Sequence, residues 1–169
     1  MTKILAFDPS GNSNHDAGNE GWGTTGVALE RNGTIVLDEI KSNTFSSTLE
    51  YWLAVSDYIE VYQPDYVVIE GYKLYNHKGM SAQTQSNSTL MTSQLIGILR
   101  MQCYDLNIPC TIQYASDVKT RWSDKVLTHM GLLDGNRFNG KATNAHKRDA
   151  LRHLMHFKRY KLPKLEELK

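Results

Sequence analysis

The sequence contains, at positions 4–8, the run ILAFD, in which four apolar residues are followed directly by Asp8. A second run of this kind, YVVIE at positions 66–70, ends with Glu70. Short apolar runs of this length are typical of buried strands. A carboxylate at the end of such a strand is costly to bury unless a cation, a hydrogen bond or a metal compensates it. If the two strands are neighbours in one sheet, Asp8 and Glu70 lie in one polar site.

A third acid lies late in the chain. Asp149 follows His146 by three residues in a helical stretch, and this spacing places both side chains on one helix face. Hard divalent cations such as Mg²⁺ prefer oxygen ligands, and two such ions held close together can hydrolyse a phosphodiester. We therefore hypothesise that Asp8, Glu70 and Asp149 bind metal.

Simpler interpretations of these residues stay open at this point. Asp8 begins the sequence DPSG, which is typical of a turn. Asp149 could be an acid stabilised by the N-terminal end of a helix, beside a solvated His146. Glu70 is harder to explain in this way, because it follows a fully apolar run.

The order of predicted elements indicates an α/β fold. Strands are predicted over 3–8, 25–31, 34–41, 66–70 and 109–114, with the turn Asn32-Gly33 joining the second and third. Helices are predicted over 44–63, 84–107, 116–131 and 143–157, the last with Thr143 or Asn144 as its N-cap. The order β-β-β-α-β-α-β-α-α predicts a mixed five-stranded sheet flanked by helices.

The composition is that of an ordinary folded domain. The 169 residues are 40% hydrophobic and 22% charged, so we expect one domain over 1–169. No run is long and apolar enough for a membrane span, and no signal pattern opens the chain. We expect a cytoplasmic protein with no membrane partner. Cys103 and Cys110 lack metal-site spacing and are expected to be buried, reduced thiols.

The basic residues are concentrated near the C-terminal end, although the formal net charge is only +1. Asp149 is the only acid among residues 141–164. A local basic surface of this kind can bind phosphates, or it can simply be a solvated helix face. The basic residues of this stretch are Lys141, Lys147, Arg148, Arg152, Lys158, Arg159, Lys161 and Lys164.

An ordered set of motifs resembles the RuvC family of Holliday-junction resolvases, in the RNase H-like superfamily. The set comprises the strand and DP at 4–9, TGVA at 25–28, VVIE at 67–70, a long helix containing Gly97, IP at 108–109, YASDVK at 114–119 and HKRDA at 146–150. The resemblance implies an RNase H-like fold and a metal-dependent endodeoxyribonuclease that cleaves four-way junctions and other branched DNA. The long segment 10–24 departs from the family pattern, and a compact, divergent member suggests a bacteriophage-encoded protein.

The resemblance also implies roles for individual residues. The metal ligands would be Asp8, Glu70, His146 and Asp149, holding two Mg²⁺ or Mn²⁺ ions, and Lys119 would stabilise the charge of the reacting phosphate. The protein would act as a homodimer, with the helix over 84–107 as the candidate interface. Tyr72 or Tyr75 would stack on an unpaired base, unless they are ordinary loop tyrosines. The other expected DNA contacts are Lys73, Lys78, Lys119, Lys125, Lys147, Arg148 and Arg152.

Three alternatives are left open. The first is a branched-DNA or flap nuclease without strict junction specificity. The second is an actin-like or sugar-kinase ATPase module, with phosphate loops at 8–11 and 21–26. The third is a catalytically inactive DNA-binding protein, which the intact acids argue against.

Overall fold

The computed structural model describes residues 2–15, 21–72 and 82–167. Its main sheet has five strands in the order β3-β2-β1-β4-β5. β1 is antiparallel to β2 and parallel to β4, β2 is antiparallel to β3, and β4 is parallel to β5. The mixed five-stranded sheet is therefore as predicted. The strands are β1 (Lys3–Asp8), β2 (Thr24–Arg31), β3 (Thr34–Lys41), β4 (Tyr66–Gly71) and β5 (Cys110–Tyr114).

Helices cover both faces of this sheet. Because β1 and β4 are buried on both faces, they are apolar throughout rather than alternating. The helices are α1 (Thr48–Tyr62), α2 (Ala82–Asp105), α3 (Ala115–Val118), α4 (Asp124–His129), α5 (Ala145–Tyr160) and α6 (Leu162–Glu166). One core contains Ala6, Val68, Leu127, Leu151 and Phe157, and the other contains Leu5, Phe7, Tyr51, Leu95 and Leu99.

Gly26 determines how closely α5 lies on the sheet. This residue pairs with Asp8 across β1 and β2. A Cβ atom on Gly26 would lie 2.1 Å from the carbonyl oxygen of His146, in the first turn of α5. Only glycine permits this approach, and the approach brings the N-terminal end of α5 to the strand end that carries Asp8.

Several local predictions differ from the structure, including the helix predicted over 44–63, which begins at Thr48. The helix predicted over 116–131 is divided into α3 and α4, because Trp122 turns into the core and the Ser123 side chain caps a new helix at Val126 N. The break predicted over 133–142 contains a hairpin, β6 (Arg137–Phe138) and β7 (Lys141–Ala142), with Asn139 and Gly140 at positive φ. The last predicted helix begins after its N-cap Asn144 and continues to Tyr160.

The two cysteines are free, as expected, but they differ in burial. Cys103 is buried, whereas Cys110 is exposed. The expectation of a buried thiol is therefore wrong for Cys110, which begins the edge strand β5. Among the described residues, no helix is long and apolar enough to cross a membrane.

Candidate metal centre

Three carboxylates from distant parts of the sequence meet at one edge of the sheet. Parallel pairing of β1 with β4 sets Phe7 beside Ile69, so the acids that follow them lie side by side. Helix α5 supplies Asp149. One ligand oxygen from each of Asp8, Glu70 and Asp149 lies within 4.8 Å of the others. The adjacency predicted from the strand-end acids is thus present.

Two cations neutralise Asp149. Lys119 Nζ lies 2.8 Å from Asp149 Oδ2, and Arg152 donates from its guanidinium to Asp149 Oδ1. Partial burial by itself would lower the pKa of Lys119, but the hydrogen bond and the charge of Asp149 outweigh it and raise the pKa. Lys119 is therefore charged at neutral pH and lies at the acid cluster.

Asp8 is paired with His146. His146 Nδ1 lies 2.9 Å from Asp8 Oδ2, and the imidazole side chain is 44% exposed. Burial, and then repulsion from Glu70 and Asp149, raise the pKa of Asp8 to about 6, although the hydrogen bond from His146 opposes the rise. That hydrogen bond also raises the pKa of His146, against the effect of burial. Burial of the carboxyl, more than repulsion between the acids, makes Asp8 favour its neutral form.

Glu70 is paired with a residue that sequence reasoning missed. His153 Nε2 lies 2.9 Å from Glu70 Oε2, and His153 Nδ1 lies 3.1 Å from Oε1 of Gln113. The His153 side chain is only 1% exposed. His153 follows Asp149 by four residues on α5, so helical spacing alone could have placed it on the same face.

Both arginines that were predicted to contact DNA have acidic partners. Arg152 binds Asp149 and Asp124 and donates from Nε to the Trp122 carbonyl at 2.8 Å. Arg148 Nε lies 3.4 Å from the same Asp124. Their side chains are 12% and 17% exposed, so both guanidinium groups hold the segment around α4 against α5.

The other expected DNA contacts vary in accessibility. Lys125 is exposed on α4, and Tyr72 is 43% exposed directly after β4. Lys147 is 20% exposed, with Nζ 3.6 Å from Glu39. Lys73, Tyr75 and Lys78 lie outside the described residues.

The glycine-containing segments of the ATPase alternative use their N–H groups internally. Gly11 donates to Thr92 Oγ1 at 3.1 Å, and Ser10 donates to Thr25 Oγ1 at 3.2 Å. Gly23 donates to the Asn12 carbonyl at 2.9 Å. A phosphate loop presents free N–H groups to its ligand, so these contacts do not support that alternative.

The acid cluster fits a hard divalent cation. It offers carboxylate oxygens from three residues, which is the donor type that Mg²⁺ and Mn²⁺ prefer. Repulsion from Glu70 and Asp149 contributes to the raised pKa of Asp8, and a bound cation would relieve that repulsion. Asp8, Glu70 and Asp149 could therefore hold such an ion.

No protein-family model matches the sequence, and no curated protein is significantly similar to it. Solved structures are similar to it in three dimensions. T. thermophilus RuvC in complex with a Holliday junction substrate has a TM-score of 0.65 and 13% identity, over 97% of each chain. A second Thermus thermophilus RuvC structure has a TM-score of 0.53 and 15% identity, over 93% of this chain and 95% of that one. The fowlpox virus Holliday junction resolvase has a TM-score of 0.53 and 12% identity, over 92% of this chain and 97% of that one. The resemblance predicted from the motifs is thus confirmed at the level of the fold: this chain has the RNase H-like fold of the RuvC structures.

Proposed function

We propose that this protein is a metal-dependent endodeoxyribonuclease that cleaves Holliday junctions and other branched DNA. The observation that carries the proposal is the cluster of Asp8, Glu70 and Asp149 oxygens within 4.8 Å of one another. The fold likeness to RuvC and to the fowlpox virus resolvase supports it, because carboxylates gathered on such a fold suit metal-assisted phosphodiester hydrolysis.

The chain's own residues have distinct parts in this proposal. Asp8, Glu70 and Asp149 would hold the metal ions, with His146 as a fourth ligand. The chemistry supplied by two bound Mg²⁺ or Mn²⁺ ions would be activation of the attacking water and neutralisation of charge on the phosphate and the leaving oxygen. Lys119 would stabilise charge on the reacting phosphate. As a ligand His146 must be neutral, whereas its hydrogen bond with Asp8 favours the protonated form.

The DNA surface in this proposal uses exposed side chains around the acid cluster. Lys125 and Tyr72 are accessible, and Lys147 contributes charge from the first turn of α5. Lys73, Tyr75 and Lys78 follow β4 in sequence and stay proposed DNA contacts. We assign Arg148 and Arg152 a structural part, because their guanidinium groups already have carboxylate partners.

A two-fold homodimer would match the symmetry of a four-way junction. The C-terminal part of α2 supports it, because Met101 and Tyr104 are 63% and 80% exposed there. Large exposed apolar side chains on one helix suit a protein contact. A bacteriophage origin and action in the bacterial cytoplasm complete the proposal, and both rest on the resemblance alone.

Cleavage of labelled four-way, three-way, flap and linear DNA, with Mg²⁺, Mn²⁺ or EDTA, tests the proposed function. We expect metal-dependent cutting of four-way DNA and a loss of at least about 100-fold in Glu70→Gln, since losing a ligand should exceed the 10–100-fold effect of its hydrogen-bond partners. Asp57→Asn removes an exposed acid on α1 and should cut like wild type. Equal cutting by the two variants would refute the metal assignment, and equal cutting of all branched substrates would favour the less specific nuclease.

A further inference from the structure

One face of helix α5 carries three residues that lie at the acid cluster or belong to it. His146, Asp149 and His153 are spaced by three and four residues, so they share one helix face. His146 contacts Asp8 and His153 contacts Glu70. This face of α5 therefore reaches both strand-end acids, and His153 is its most deeply buried residue.

His153 connects Glu70 to β5. Its Nε2 lies 2.9 Å from Glu70 Oε2 and its Nδ1 lies 3.1 Å from Gln113 Oε1. Gln113 is the cross-strand partner of Glu70 in the parallel pair of β4 and β5, and it is 3% exposed. Two strands and one helix thus meet at this imidazole.

One orientation of the Gln113 amide gives each ring nitrogen of a neutral His153 a suitable partner. A neutral imidazole has one donor and one acceptor nitrogen, yet both neighbouring atoms, as placed, are oxygens. The Gln113 Nε2 atom has no hydrogen-bond partner among the described residues. The two ends of a side-chain amide are assigned from their partners. Rotating this amide lets Gln113 donate to Nδ1, and His153 then donates from Nε2 to Glu70.

We propose that Gln113 and His153 form a hydrogen-bond relay that positions Glu70 as a metal ligand. This inference rests on the proposed function, because it deepens the role of Glu70. Gln113 fixes which imidazole nitrogen carries the proton, and the Nε2–H group holds Oε2 of Glu70. His153 is a positioning residue and does not contact the metal.

Folding stability alone does not explain why two polar residues, His153 and Gln113, are buried here. His153 and Gln113 are both buried beside a core of apolar residues that includes Leu151 and Leu154. Well-packed apolar residues at such positions usually stabilise a fold as well or better than buried polar groups do. Hydrogen-bond partners of metal ligands, in contrast, typically contribute 10–100-fold to metal affinity.

Calorimetric titration of Mn²⁺ into the DNA-free protein tests the relay. His153→Gln and His153→Asn bury the same amide, but only the Gln nitrogen reaches the position of Nε2. We expect the affinity of His153→Gln for Mn²⁺ to be within about 3-fold of wild type and that of His153→Asn to fall about 10–100-fold. Thermal melting of the metal-free variants is the control, because a merely structural role would lower the melting midpoint of His153→Asn and leave its Mn²⁺ affinity unchanged.

Two further variants separate the possible outcomes. Asp8→Asn should abolish Mn²⁺ binding; if it binds like wild type, the proposed metal centre and the relay both fail. If Asp8→Asn loses binding while His153→Asn retains wild-type affinity, the relay alone is overturned. Gln113→Leu, which leaves His153 in place, should weaken Mn²⁺ binding roughly 3–10-fold. If His153→Asn does not fold, unchanged affinity in Gln113→Leu overturns the relay.

Discussion

The two histidines that contact the acid cluster occupy different environments on the same helix. His146 lies in the first turn of α5, 44% exposed beside Asp8, whereas His153 lies two turns later, 1% exposed beside Glu70. Water can replace the partner of an exposed imidazole, so His146 can release Asp8 and bind a metal at small cost. A buried imidazole has no such substitute, and His153 depends on Gln113 and Glu70 for its hydrogen bonds.

The largest expected difference between the two histidines is in stability. His153→Ala leaves a cavity and removes the partner of Glu70 and Gln113, so we expect a loss of about 3–4 kcal/mol in the free energy of unfolding. His146→Ala should cost less than about 1 kcal/mol, because its side chain is half exposed. Because both variants replace histidine by alanine on the same helix, the change in helix propensity does not account for a difference between them.

Urea unfolding of the metal-free variants measures this difference. Equal losses of unfolding free energy in His146→Ala and His153→Ala would contradict this expectation. They would show that water replaces the two histidines equally well.

A smaller effect is expected from the titration of Asp8, which makes the stability of the protein depend on pH. Its pKa of about 6 in the folded protein lies above the ordinary 3.8, so the folded state holds the proton more tightly than the unfolded state. This contribution to stability is complete below pH 4 and is lost as the pH rises through 6. The loss should be about 2–3 kcal/mol.

Asp8→Asn removes this titration. The metal-free variant should therefore match wild type near pH 4 and exceed its stability above pH 6.5, as measured by urea midpoints across that range. If the stabilities of the two proteins change with pH in parallel, the pKa of Asp8 is not raised in the folded protein.

The smallest expected effect concerns the contact that places His146 near Asp8. Gly26→Ala puts a methyl group against the His146 carbonyl and should destabilise the protein by about 1–2 kcal/mol through overpacking. In Gly97→Ala the new methyl meets nothing within 4 Å, and helix propensity should make it neutral or stabilising by about 0.5–1 kcal/mol.

Thermal melting compares the two glycine variants directly. If Gly26→Ala is as stable as Gly97→Ala, α5 does not depend on the close approach at β2.

Local patterns predicted most of the sheet and the three acids. The turn Asn32-Gly33 has positive φ at both residues, as the hairpin prediction requires. The apolar runs ending at Asp8 and Glu70 form parallel neighbours, because strands buried on both faces occupy the middle of such a sheet. Segments with mixed signals were less predictable: the helical pattern over 116–131 did not reveal that Ser123 would cap a second helix.

By itself, the sequence determined which residues end the central strands and which spacing places His146, Asp149 and His153 on one face of α5, because both depend on local periodicity. Only the tertiary structure decided the partners of those side chains. Gln113 and His153 are 40 residues apart in sequence, and their contact exists because β5 pairs with β4 while Gly26 lets α5 lie close to β2. The same packing turned Arg152 toward Asp124 and Asp149. Hydrogen-bond partners of buried groups are set by which elements meet, and that information is distributed over the whole chain.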